Sequence, residues 1–164
     1  MAIVNRMDAF WWFHYNNSKE LLGRKVNYKA DDYFTETCLL YFKCYFEQLG
    51  CRVASEVKLH NSNIQTDINI WKDEKPIAVI ELKVGNGWKG KSMMEHLKER
   101  EDNVQKAVPD CYFGAIAYWN FFDTHSPEWS SKYIGIKKYN ENNHHPLTGA
   151  RVESLMKEIK KRIE

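Results

Sequence analysis

Apolar residues recur at helical and then at strand spacing along the chain from residue 32 onward. Residues 32–49 carry an apolar stripe at helical spacing, which predicts a helix that Asp31 or Asp32 caps and Gly50 ends. Residues 51–59 alternate between apolar and polar positions, which predicts a strand with Glu56 on its polar face. The stripe of the helix consists of Phe34, Cys38, Tyr41, Phe42, Tyr45 and Leu49.

Residues 65–84, with the sequence QTDINIWKDEKPIAVIELKV, contain two apolar stretches separated by a charged segment. This segment, residues 72–76, ends in a proline and predicts a turn centred near Glu74. Folding the run about that turn gives a hairpin in which Asp67 lies opposite Glu81. Residues two apart on a strand share a face, so Glu81 and Lys83 point the same way.

The remaining pattern adds a helix, two strands and a final helix. Ser92 and Glu95 have the form of a capping box, which predicts a helix that ends before Pro109. Residues 111–119 are almost wholly apolar, as in a strand covered on both faces, and 133–139 predict a further strand. Residues 150–163 form an amphipathic helix. The order αβββαβ, followed by a strand and a helix, predicts an α/β protein with a mixed β-sheet flanked by helices.

Two carboxylates and one ammonium would meet on the predicted hairpin, at Asp67, Glu81 and Lys83. Like charges opposite each other on a sheet repel, and the residues around them are strongly apolar, so the pair favours a bound cation. A hard divalent ion with oxygen ligands, such as Mg²⁺, suits this cluster better than zinc because it contains neither thiolate nor imidazole. The alternative is a solvated pair in which Lys83 neutralises Glu81.

Composition sets limits on the class of protein. The chain has 164 residues, 43% of them hydrophobic, which fits a single folded domain over residues 1–164. A formal net charge of +2 means that nucleic-acid binding would need a local basic patch. No apolar run is long enough for a membrane helix, so we expect no membrane partner. The four cysteines lack zinc or redox spacing, which favours free thiols in a reducing cytoplasm.

The order of elements and the residues Thr66-Asp67 and Ile80-Glu81-Leu82-Lys83 resemble the PD-(D/E)xK nuclease superfamily. This family includes many restriction endonucleases, Holliday-junction resolvases and type I restriction nuclease domains. The resemblance covers about residues 31–119, the expected restriction-endonuclease-like core. Residues 1–30 would be an aromatic N-terminal extension, and 120–164 appended C-terminal elements. Thr66 stands where the motif usually has proline.

The resemblance implies a role for each matching residue. Asp67, Glu81 and the backbone carbonyl of Leu82 would hold Mg²⁺, with Mn²⁺ as a substitute. Lys83 would orient the attacking water and steady the charge on the phosphate. Many members add a glutamate from the first helix. Glu36 occupies that place, with Glu56 as the substitute, and some relatives also use a glutamine on the next helix, where Gln105 stands.

A basic, glycine-rich segment follows the motif. Lys89 and Lys91 lie on it and are the candidate DNA contacts, because flexible backbone between lysines can follow a phosphate chain. Trp88 would stack on a base or pack beneath the loop. The alternative for the basic residues is a solvated charged face.

These features predict a divalent-metal-dependent endonuclease that hydrolyses phosphodiester bonds in double-stranded or branched DNA. One alternative is a catalytically silent module of the same fold that binds nucleic acid or a protein. Another is a structure-selective or RNA-directed nuclease. By analogy with small nucleases of this type we expect a homodimer, with the N-terminal aromatic segment and Phe121-Phe122 as candidate contacts.

Overall fold

The computed structural model describes residues 31–59, 62–83, 90–119, 132–137 and 148–164. The aromatic extension and Phe121-Phe122 lie outside these residues. In chain order the elements are α1 (Asp31–Phe46), a 3-10 helix (Glu47–Leu49), β1 (Arg52–Ser55), β2 (Ile68–Lys72), β3 (Lys75–Lys83), α2 (Gly90–Ala107), β4 (Tyr112–Trp119), β5 (Tyr133–Lys137) and α3 (Thr148–Lys160).

The described strands form one mixed sheet in the order β1-β2-β3-β4-β5. β1, β2 and β3 pair antiparallel, whereas β3, β4 and β5 pair parallel. The step from β3 through α2 to β4 joins parallel neighbours, as expected for a strand-helix-strand unit. The predicted α/β class and the predicted order of helices and strands are therefore confirmed.

Helices cover both faces of this sheet. Residues of α1 and α3 pack on the face that carries Ile68 and Ile80, and α2 packs on the face that carries Val79 and Phe113. The strand residues Ile80 and Val79 point to opposite faces because side chains alternate along a strand. The last helix buries four of the apolar residues that its spacing predicts, Val152, Leu155, Met156 and Ile159. The fifth, Ile163, lies beyond the end of the helix and is half-buried. Among the described residues, no helix is both long and apolar enough to cross a membrane.

The first strand is shorter than the apolar alternation predicts. It ends at Ser55, and Glu56 has a φ of 55°, a left-handed conformation that interrupts an extended strand. Beyond this point, the described residues of the segment form an isolated bridge between Lys58 and Gln65. The alternation predicts Val53, Val57 and Leu59 on one face. Val53 and Leu59 are buried and Val57 is half-buried, but the alternation did not predict the break at Glu56.

The hairpin turn lies at Asp73 and Glu74, whose φ values are 47° and 61°. Two successive residues in this conformation make the tight connection that matches the twist of antiparallel strands. The prediction that Pro76 ends the turn was wrong. Pro76 lies inside β3 opposite Trp71, next to a shift of register at Ile70 and Trp71. A bulge is where a sheet tolerates a residue without an amide hydrogen.

The helix boundaries differ from the sequence prediction by only one to three residues. The α-helix α1 begins at Asp31, so Asp31 and Asp32 both lie inside its first turn. Gly50 ends the following 3-10 helix with a φ of 75°, as predicted. α2 begins at Gly90, so Ser92 lies within the helix and is not its cap.

We predict that Gly114→Ala destabilises the fold through contact with the last helix. A Cβ at this position would lie 3.0 Å from Cδ1 of Leu155 and 3.1 Å from Cδ1 of Ile80. Overpacking destabilises the folded state by roughly 1–3 kcal/mol. Alanine restricts the unfolded chain more than glycine does, which offsets roughly 0.5–1 kcal/mol of that loss. The net loss in the free energy of unfolding, measured in urea, should be about 1 kcal/mol.

A double-mutant cycle with Leu155→Ala tests this cause. The penalty of Gly114→Ala should shrink in the Leu155→Ala background, because the crowding methyl group is gone. An equal penalty in both backgrounds would assign the loss to the strand and not to the packing of α3.

Candidate functional site

The candidate site lies where β2 begins and β3 continues. Ile68 of β2 pairs with Ile80 of β3, so the same register places Asp67 opposite Glu81, as predicted. Asp67 itself precedes β2. Its carboxylate accepts a hydrogen bond from β3 in place of a backbone carbonyl of β2. The backbone N–H of Leu82 donates to Oδ2 of Asp67 at 2.6 Å. Asp67 therefore satisfies an amide of β3 that β2 no longer reaches.

The same hydrogen bond fixes the direction of the Leu82 peptide. On an extended strand the N–H and the C=O of one residue point to the same side. Since the Leu82 N–H points to Asp67, the Leu82 carbonyl is directed to that side of β3 as well. The carboxylate of Asp67 and the carbonyl of Leu82 are thus brought together.

Glu81 is buried, with 3% of its surface exposed. It shares the α2 face of the sheet with Val79, two residues earlier on the strand. Two cations flank its carboxylate. Lys83 Nζ lies 3.2 Å from Oε2, and Arg100 Nη2 lies 2.6 Å from Oε1. A carboxylate in this environment needs such partners, because an isolated buried charge is very costly.

Arg100 comes from α2 and was not identified from the sequence as part of this cluster. Besides Glu81, its Nη2 atom donates to the backbone carbonyl of Gln65 at 2.7 Å. The signal was its place on the helix. Arg100 lies three residues after the buried Leu97 and four before the buried Val104, so a charged residue interrupts an apolar stripe.

The carboxyl of Asp67 is only partly balanced by its surroundings. Burial raises its pKa above the usual range, the hydrogen bond from Leu82 opposes that shift, and the negative charge of Glu81 raises the pKa again. The positive charges of Lys83 and Arg100 lower it. The remaining net upward shift means that the folded protein disfavours the charged form of Asp67.

His96 lies one helical turn before Arg100 and borders the cluster. Burial lowers the pKa of its imidazole, and the positive charges of Lys83 and Arg100 lower it further. The negative charges of Glu81 and Glu99 oppose this shift. His96 is therefore held mainly in its neutral form near neutral pH, where an imidazole can accept or donate a hydrogen bond.

A buried polar network supports the segment that carries Asp67. The Thr66 hydroxyl donates to Oδ1 of Asn69 at 2.6 Å. Nδ2 of Asn69 donates to the carbonyls of Val57 and Thr66, at 3.2 and 3.3 Å. Buried polar groups with all partners in place hold a single geometry. Thr66, the residue before Asp67, thus helps to fix this segment through its side chain.

The two candidates for an additional carboxylate occupy different places. Glu36 is exposed on α1, and it lies two residues, or about 200° around the helix, from Cys38. Burial and then the charge of Asp67 raise the pKa of the Cys38 thiol, so Cys38 is on the side of the helix that faces the cluster. Glu56 has an exposed side chain, and its N–H donates to the Asp67 carbonyl at 3.4 Å. Which of the two joins the site stays a prediction.

Other predicted residues lie apart from the cluster or outside the description. Lys89 is outside the described residues, and Lys91 is described only as part of the helical backbone of α2. Gln105 has a structural role, because its Nε2 donates to the Cys111 carbonyl and its Oε1 accepts from the Asp110 amide. Those bonds tie the end of α2 to the start of β4.

No model of a known protein family matches this chain, and a comparison with curated proteins found no significant relative.

Asp67 and Glu81 are the carboxylates that would hold a metal ion at this site. Among the described residues, no three His, Cys, Asp or Glu side chains are grouped as in a metal centre. A cation here would be held by two carboxylates and the Leu82 carbonyl. Mg²⁺ suits such a set, because it binds hard oxygen atoms and keeps several waters or phosphate oxygens as its other ligands.

We predict that Asp67→Asn makes the metal-free protein more stable near neutral pH. Asparagine keeps an oxygen that can accept from the Leu82 amide but carries no charge. Because the pKa of Asp67 is raised in the folded state, its contribution to stability falls as pH rises from 3.8 through the raised value. The difference in Tm between variant and wild type should therefore be positive near neutral pH and shrink towards acid pH.

Thermal melts in EDTA across this pH range would measure the difference. Asp102→Asn is the matched control, since Asp102 is an exposed residue of α2. A lower Tm for Asp67→Asn than for the wild type at neutral pH would contradict the prediction.

Proposed function

We propose that this protein is a divalent-metal-dependent endonuclease that hydrolyses phosphodiester bonds in DNA, on a restriction-endonuclease-like core. The observation that carries the proposal is the buried Glu81 beside Asp67 and Lys83, where β2 begins and β3 ends. The order of helices and strands also agrees with the PD-(D/E)xK pattern.

Asp67, Glu81 and the Leu82 carbonyl would hold Mg²⁺, or Mn²⁺ as its substitute. The Leu82 amide donates to Asp67, which lies opposite Glu81 on the sheet, and burial raises the pKa of the Asp67 carboxyl despite the nearby cations. When bound, such an ion lowers the pKa of a coordinated water and offsets charge on a phosphate.

Lys83 has the position required for the other half of the chemistry. Its ammonium lies 3.2 Å from Glu81 Oε2, and its side chain is 16% exposed, so it is accessible from the solvent side. An ammonium there orients a water molecule and stabilises the negative charge that develops on a phosphate. Burial of the carboxylates strengthens these interactions, because fixed charges act more strongly where water is excluded.

A silent binding module is the second candidate, and one observation favours it. Glu81 already has two internal cations, Lys83 and Arg100, so the cluster is neutralised without a metal ion. Proteins can keep such networks for structure alone. The two candidates differ in whether the site binds metal and cleaves a substrate.

We predict that the wild type nicks or linearises supercoiled plasmid in Mg²⁺ or Mn²⁺ and that EDTA abolishes this activity. Asp67→Ala and Lys83→Ala should each lower the cleavage rate about 100-fold or more, as expected when a charged group in such a site is removed. Lys75→Ala is the matched control, because Lys75 is an exposed residue at the opposite end of β3.

Single-stranded DNA, branched DNA and RNA belong in the same assay, because the same residues could cut any of them. If all these substrates stay intact in both metals, the endonuclease proposal fails and the silent module is favoured. Cleavage that survives in both Asp67→Ala and Lys83→Ala would place the activity elsewhere or in a contaminant.

We predict that replacing Lys89 and Lys91 together by glutamine weakens DNA binding and flattens its salt dependence. Each lost phosphate contact should lower the slope of log K against log salt by about 0.9. Metal affinity should be unchanged, because neither residue is a proposed metal ligand. The exposed Lys157 and Lys161 of the C-terminal region give the matched double control. An unaltered slope across a salt titration would contradict the assignment.

A further inference from the structure

Glu81 binds a cation from a separate helix as well as the lysine of its own strand. Arg100 Nη2 lies 2.6 Å from Glu81 Oε1 and 2.7 Å from the Gln65 carbonyl oxygen. The guanidinium thus spans from β3 to the chain that leads into Asp67. This is a short, charge-assisted contact to a buried acceptor.

The charges of the cluster sum to zero in this arrangement. Asp67 and Glu81 contribute two negative charges, and Lys83 and Arg100 contribute two positive ones. A divalent ion between the carboxylates would raise the sum to two positive charges. It would also repel Arg100, which holds the Glu81 oxygen that faces α2.

Arg100 is partly exposed, so displacement from Glu81 would leave its charge in contact with water. Its side chain is 27% exposed, compared with 4% for that of Glu81. A guanidinium released from Glu81 would stay beside Lys83 at the same solvent-facing edge. Its planar fork matches two phosphate oxygens at once, and it cannot lose its charge.

We propose that Arg100 is an internal counter-ion that occupies Glu81 in the metal-free protein, is displaced when a divalent metal binds, and then binds a phosphate of the nucleic-acid substrate. This inference rests on the proposed function, since it concerns the same site. Metal and substrate would then bind cooperatively: the metal creates excess positive charge and frees a phosphate ligand in one step.

Metal binding without DNA gives the first test. Isothermal titration with Mg²⁺ and with Mn²⁺ would compare the wild type with Arg100→Gln. Loss of the competing charge should tighten metal binding about threefold or more. Arg52→Gln is the matched control: Arg52 is an exposed arginine that stacks on Trp71, four residues along β2 from the site, and its loss should change nothing.

A wild-type readout covers the case in which Arg100→Gln does not fold. The side-chain guanidinium signals of Arg100 in ¹⁵N-labelled protein can be assigned with Arg100→Lys. These signals should shift on addition of Mg²⁺, whereas those of Arg52 should not. Unchanged Arg100 signals at saturating metal would overturn the displacement.

DNA binding gives the second test. Affinity for a duplex oligonucleotide would be measured in EDTA and in Ca²⁺, with a gel to verify that the DNA stays intact. Arg100→Gln should bind about tenfold more weakly than the wild type in Ca²⁺, the loss expected for a hydrogen bond to a charged group. In EDTA the difference should be within about twofold, because salt screens the remaining charge effect.

The outcomes separate this inference from the proposed function. If the wild type binds metal and cuts DNA but Arg100→Gln binds metal no more tightly, the inference fails and the endonuclease stands. An equal loss of DNA affinity in EDTA and in Ca²⁺ also overturns it, since Arg100 would then be an ordinary contact. If neither protein binds metal, both proposals fail.

Discussion

The hydrogen bond from the Leu82 amide to Asp67 links the sheet to the candidate site. Strand β3 runs past the beginning of β2, so one of its amides would lack a partner in the ladder. The carboxylate of Asp67 accepts that amide at 2.6 Å and is thereby brought beside Glu81. The same contact thus satisfies a backbone amide of β3 and positions the carboxylate of Asp67.

Charge balance is the second constraint on this region. Burial of Glu81 is tolerable because Lys83 and Arg100 hold its two oxygens, one from its own strand and one from α2. Asp67 receives a backbone amide and only the more distant effect of those cations, and its pKa is raised. The two carboxylates therefore differ: Glu81 contacts two cations directly, whereas Asp67 accepts a backbone amide and its charged form is disfavoured by burial.

Apolar periodicity predicted much of the fold, because the spacing of buried residues within each long helix or strand can be read from a short stretch of sequence. The apolar run of β4 predicted a strand covered on both faces, and it lies between β3 and β5. Folding the sequence about Glu74 placed Asp67 opposite Glu81, and the structure reaches the same pairing by a two-residue turn together with a one-residue shift of register. The break at Glu56 and the bulge beside Pro76 were not predicted, because each depends on backbone geometry that neighbouring strands impose.

The site was predictable where its members share one hairpin and not where they come from different elements. Asp67, Glu81 and Lys83 are fixed by register, whereas Arg100 reaches Glu81 only because α2 packs on that face of the sheet. One feature of the sequence does indicate this contact, because Arg100 lies on the apolar stripe of α2. A charged residue on a buried stripe needs a partner, and Glu81 lies among the apolar residues of the predicted hairpin.

The unequal state of the two carboxylates bears on the choice between an enzyme and a silent module. A buried charge network that has only a structural role is most stable when each charge is paired. Glu81 is paired in this way with two cations. Asp67 is not, and an asparagine would satisfy the Leu82 amide without the cost of a buried charge next to Glu81. Carboxyl groups with a shifted pKa cluster at functional sites, and a bound cation would offset the buried charge of Asp67. For that reason the charge on Asp67, more than the buried ion pairs of Glu81, favours metal-dependent chemistry.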